Sequence, residues 1–165
     1  EKGAARPAIH IVYLMLKDNI HEVPSLIDLV GTIGIRQVVL INIVHITNKR
    51  QDQERVFTCE WTSDEPYRAI FTEARKRAQR YGMDLVIPSM RPCDVAVCAE
   101  NPLKNLYISA DGEVSPCVYL GPPIRSPFRR IFCGKEYSTE RVSFGNIFQE
   151  NPRGIWESES YSRLR

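Results

Sequence analysis

The chain has 165 residues, of which 43% are hydrophobic and 25% charged, and a formal net charge of +2. That balance suits a soluble protein with a buried core and gives no global attraction to nucleic acid. The apolar runs at residues 9–16 and 38–46 are interrupted and too short to cross a bilayer, and the opening Glu1-Lys2-Gly3 shows no export signal, so no membrane partner and a cytoplasmic location are expected.

Residues 8–16, AIHIVYLML, form an apolar run without a breaker, the pattern of a strand covered on both faces. A helix follows, with Pro24 in its first turn, an apolar stripe of Leu26, Ile27, Leu29, Val30 and Ile33, and Gly34 at its end. IRQVVLINIVHIT then reads as a second apolar strand, and strand–helix–strand with short connections implies a parallel βαβ unit. The polar stretch after it is expected to run as an irregular linker. Asp64 and Pro66 open a helix over residues 65–81, with Ala69, Ile70, Phe71, Ala74, Ala78 and Tyr81 facing inward and Gly82 closing it. MDLVIP is a third short strand. Near Ser89 the α/β rhythm stops.

From there the cysteines dominate. Cys93, Cys98 and Cys117 are spaced C-x4-C-x18-C, and the last two bracket LYISADGEVSP, which reads as a β-hairpin turned at Asp111-Gly112. Folding it carries Cys117 back toward Cys98 and Cys93, so three thiols converge in a way that suits a metal or an iron–sulfur cluster. Clustered thiols in a reducing compartment point to metal binding before disulfides. The other cysteines are Cys59, a packing residue or exposed thiol, and Cys133, either a free loop cysteine or a substitute fourth ligand. Residues 121–143, rich in Gly, Pro, Ser and Arg, read as one long loop. Pro152 then opens a final helix carrying Ile155, Trp156, Tyr161 and Leu164.

Cys93, Cys98, Gly112 and Cys117, with YISADGEVSPCVYL among them and FGNI, IW and LR downstream, resemble the opening half of a SPASM domain. That is the auxiliary-cluster module of many radical S-adenosylmethionine (SAM) enzymes. The preceding βαβ portion is similar to the closing part of their partial (β/α)6 TIM-like barrel. The resemblance implies an α/β chain with barrel-derived residues 1–88 and a SPASM- or twitch-like auxiliary domain, incomplete, in residues 89–165. It implies that Cys93, Cys98 and Cys117 ligate an auxiliary [4Fe-4S] cluster. It also implies that Asn19 and His45, with Asn48, stand at strand ends lining a SAM and substrate cavity, although each also reads as a plain turn-forming or half-buried residue.

Two features depart from the family pattern. The sequence contains no C-x3-C-x2-C motif for the cluster that cleaves SAM, and the second SPASM cysteine group is missing. A C-terminal portion of a larger oxidoreductase that matures peptides or builds cofactors is therefore expected, inactive alone, with SAM and a second [4Fe-4S] cluster held only by the full-length enzyme. Expected partners are a peptide or small-molecule substrate and an electron-donor protein. The basic runs at 75–80 and 125–130 read as solvated faces rather than a nucleic-acid surface. The alternative reading is a non-catalytic zinc-binding domain that presents the 121–143 loop to a protein partner.

Overall fold

A computed structural model describes residues 8–59, 67–91, 96 and 98–165. They fall into two compact units, one holding the described residues of 8–44 and 50–91, the other residues 45–49 and the described residues from 96 onward.

In the first unit, β1 (Ile11–Met15), β2 (Gln37–Asn42) and β3 (Asp84–Val86) form a parallel sheet in the order β1-β2-β3. Ile11 pairs with Val38 and Met15 with Asn42 on one side of β2, and Gln37 pairs with Asp84 on the other. Helix α1 (Val23–Thr32) connects β1 to β2 after a 3-10 turn at Ile20–Glu22; α2 (Lys49–Glu54) and α3 (Arg68–Arg80) lie between β2 and β3. Both long helices stop at a glycine with positive φ, Gly34 and Gly82. Ile35 N–H then bonds the carbonyl of Val30 at 3.2 Å, and Met83 N–H that of Ala78 at 2.9 Å. These closing bonds satisfy carbonyls that the helix end leaves open.

Met15, Val38 and Leu40 from the sheet meet Val23, Ile27 and Val30 from α1 and Phe71, Ala74 and Ala78 from α3. Each fully buried aliphatic side chain there contributes roughly 1.5–3 kcal/mol. All of this packing is on one face of the sheet. The two-sided cover expected of the first strand is therefore not what forms: Val12 is 52% exposed, Leu14 40% and Val86 43%. Handedness explains it, because successive right-handed crossovers that step the same way across a sheet place every helix on the same side. Among the described residues the sheet is open and closes no barrel. The expected irregular linker contains the short helix α2, whose Asp52 accepts from Arg55 at 2.9 Å. The caps expected at Asp64 and Pro66 lie outside the described residues.

In the second unit the hairpin is present, as β4 (Tyr107–Ile108) paired antiparallel with β5 (Val114–Ser115). Its turn differs from the expected Asp-Gly pair with two positive φ angles. Ser109 N–H bonds Glu113 C=O at 3.0 Å and Gly112 N–H bonds Ser109 C=O at 2.9 Å, so three residues make the loop and Gly112 alone, at φ +84°, is left-handed. Asp111 instead binds the Ser109 hydroxyl and the Arg141 guanidinium, which hold its carboxyl below the usual range. The FGNI segment lies along β5: Val114 N–H bonds Gly145 C=O at 2.9 Å and Phe144 N–H bonds Val114 C=O at 2.8 Å. Asn146 donates to Asp111 C=O and to the Glu113 carboxylate, both at 2.9 Å, tying turn to segment.

The expected long loop holds a second hairpin, β6 (Phe128–Phe132) with β7 (Lys135–Thr139). Cys133 and Gly134 turn it, both with positive φ, +52° and +74°. The single helix expected at the C-terminus is two, α4 (Pro152–Glu157) and α5 (Glu159–Leu164), broken at the extended Ser158, whose side chain caps α5 by accepting from Tyr161 N–H at 3.3 Å. Val114, Ile155 and Tyr161 form this unit's core, with Leu106, Phe144, Ile147 and Trp156 around them.

Candidate metal centre

Cys98 and Cys117 are the free thiols among the described cysteines, the first exposed and the second partly buried. Each opens a hydrogen-bonded turn. Asn101 N–H bonds the Cys98 carbonyl at 2.8 Å, with Asn101 itself at φ +43°, and the Cys117 carbonyl accepts Leu120 N–H at 3.2 Å and Gly121 N–H at 3.1 Å. Cys117 follows directly on β5, and Cys98 precedes the turns that lead into β4, so the hairpin fixes both approaches. Cys117 lines a cavity of about 190 Å³ together with Ala99, Glu100, Asn105, Leu106 and Pro116 among others. Its floor is rigid. Asn105 donates its side-chain amide to Glu100 C=O at 3.1 Å, and its own carbonyl accepts the buried Tyr161 hydroxyl at 3.0 Å.

Both thiols lie close to the Tyr119 ring. Burial pushes its phenol up from the ordinary value, and negative charge on Glu100, Cys117 and Cys98 pushes further in the same direction, against Arg130. A phenol keeps its proton at neutral pH in any case, and this shift moves its ionisation further away from that range. The ring is held by neighbours of its own: His45 stacks on it at 6.4 Å and 16°, and the Arg130 guanidinium sits 5.9 Å from its centroid. Tyr119, Glu100 and Arg130 were not identified from the sequence. The available signal for Tyr119 was its place two residues after Cys117.

The remaining expected site residues distribute differently. Cys93 lies outside the described residues. Cys133 is disulfide-bonded, as is Cys59, so neither sulfur is a thiolate in this form, and ligation by Cys133 requires prior reduction. His45 is no strand end: β2 stops at Asn42, and Ile46, 2% exposed, draws its neighbours beside β6 by accepting Ile131 N–H at 2.7 Å. Its imidazole packs between Tyr119 and Phe128, and burial, helped by Arg130, lowers its pKa. Asn19 does follow β1, but its side chain closes the turn, accepting Leu16 N–H at 2.8 Å and donating to Leu14 C=O at 3.0 Å. Those groups are unavailable to a ligand unless the turn opens. Asn19 and His45 belong to different units.

Among the described residues no three His, Cys, Asp or Glu side chains gather as a metal site. What the described part contributes is two soft, free sulfur donors near Tyr119, one of them lining a cavity. That chemistry fits iron–sulfur ligation, with at least one further ligand needed. Among the described residues no helix is long and apolar enough to cross a membrane.

Residues 98–165 match SPASM, an iron–sulfur cluster-binding domain. Over all 165 residues the chain is 26% identical to the tungsten-containing aldehyde ferredoxin oxidoreductase cofactor-modifying protein of Pyrococcus furiosus. It spans 44% of that protein's length.

Proposed function

We propose that Cys98 and Cys117, joined by Cys93, are thiolate ligands of an auxiliary [4Fe-4S] cluster in a SPASM-type domain of a radical SAM enzyme, a reading supported by the match of residues 98–165 to an iron–sulfur cluster-binding domain. The observation that carries this is the pair of free thiols, Cys98 and Cys117, near Tyr119 in the region that matches an iron–sulfur cluster-binding domain. Bound there, such a cluster supplies one-electron redox chemistry. The chain's own residues do the rest. The hairpin and the Tyr161 anchor fix where the sulfurs sit, and Tyr119 presents a proton rather than a charge toward them, as outer partners of metal ligands do.

In the whole protein, the proposed reaction class is radical SAM oxidation of a peptide or small cofactor precursor, with SAM and its own [4Fe-4S] cluster bound elsewhere and electrons delivered by a partner protein. The first unit then forms closing strands of a partial (β/α)6 barrel. Supporting that reading, its strands step one way with every packed helix on one face.

Anaerobic reconstitution with iron and sulfide tests the assignment. Replacing Cys93, Cys98 and Cys117 together by Ala is expected to remove one cluster's worth of iron and the matching visible absorbance. Unchanged iron overturns the assignment, and colourless protein with stoichiometric zinc transfers the site to the zinc-binding reading.

A further inference from the structure

A second concavity, of about 340 Å³, lies in the first unit. Its lining includes Arg68, Thr72 and Arg75 from α3 and Ser89, Met90 and Arg91 from the chain beyond β3, with no carboxylate among the described residues. The positions on α3 are spaced i, i+4 and i+7, so the helix sets two guanidinium groups and a hydroxyl along one face. Arg77, on the same helix, is neutralised, binding Asp28 at 2.6 Å and Glu73 at 2.8 Å. Arg68 and Arg75 have no ion-pair partner among the described residues, and Tyr67 supplies no side-chain cap at the positive end of the helix beside them.

The opposite wall is fixed. Asn42 donates to Ser89 C=O at 2.9 Å, Thr58 N–H bonds Met90 C=O at 2.9 Å, and the Ser89 hydroxyl donates to Arg91 C=O at 2.7 Å. The position is that of the carboxyl end of β3 against the start of α3, where open parallel sheets bind their ligands. Like charges held around a hollow repel one another, and a multiply charged oxygen anion relieves that repulsion while taking two bonds from each guanidinium.

We propose that this concavity is a binding site for a phosphate-bearing ligand, held by the Arg68 and Arg75 guanidinium groups of α3. The proposal is independent of the cluster assignment, since none of these residues belongs to the metal centre.

Titration calorimetry of the full chain with inorganic phosphate and pyrophosphate, and with malonate as the carboxylate control, tests it. The expected result is binding that weakens with added salt, is tighter for pyrophosphate than for malonate, and falls roughly tenfold for each of Arg68→Gln and Arg75→Gln. Circular dichroism of both variants confirms that they fold; should either fail, Arg68→Lys and Arg75→Lys, which keep the charge but lose the two-pronged bond, carry the comparison, with a smaller loss expected. No detectable phosphate or pyrophosphate binding, affinity unchanged in the folded variants, or malonate binding as tightly as pyrophosphate overturns the proposal.

Discussion

Gly112 shows how much a single residue decides in the cysteine hairpin. Its φ of +84° is costly for any residue with a Cβ, and a Cβ there would lie 2.5 Å from the Phe148 ring and 2.6 Å from the Asn146 side-chain oxygen. Neighbouring groups cannot yield freely, because Asn146 uses its amide nitrogen on Asp111 and Glu113 and its oxygen on Phe148 N–H at 2.9 Å. Gly112→Ala is expected to destabilise the second unit by about 2 kcal/mol or more, read as a lower urea midpoint. The Asp-Gly pair was legible as a turn. Its type was not, since the choice between two and three loop residues depends on Ser109 and Glu113 pairing and on the segment lying alongside. The Cys133 disulfide left no trace in local sequence.

Elements bounded by their own residues were the easiest to anticipate. Helices α1 and α3 end at Gly34 and Gly82, and β1 to β3 appear in the expected order, because caps and apolar periodicity are local. The β6–β7 hairpin was missed because FRRIF hides its alternation behind two arginines, leaving only Phe128 and Ile131 buried, at 6% and 4% exposure. The break between α4 and α5 was missed because Ser158 leaves the apolar spacing of Ile155 and Tyr161 intact. Tyr161 repays that break. It is fully buried, stacks on Phe144 at 4.4 Å and 9°, and meets the Trp156 edge at 5.0 Å. Tyr161→Phe, losing the bond to Asn105, is expected to cost about 1 kcal/mol, and Tyr161→Ala about 3–5 kcal/mol, in chemical denaturation.

At the scale of the molecule, two separate hydrophobic clusters serve two units. A cavity in one should loosen its own hydrogen bonds first. Ile27→Ala is expected to speed amide exchange in β1 and β2 ahead of the second unit, and Ile155→Ala in β4, β5 and residues 144–147 ahead of the first, as mass-resolved hydrogen exchange would read. Equal acceleration everywhere in either variant would contradict separate cores. The change of character near Ser89 was visible in composition. The membership of residues 45–49 in the second unit was not, because it follows from burial of Ile46 far along the chain from its partner Ile131.

A sheet sheltered by helices on one side alone has a consequence for handling the polypeptide. Val12, Leu14, Ile41 and Val86 present oily, β-branched or branched-chain surface to water, on strands whose flat backs invite stacking. Kept by itself at high concentration, such a chain is expected to self-associate, which light scattering across a dilution series would read. Mild detergent or a companion polypeptide that shields those four side chains is then what keeps it monodisperse.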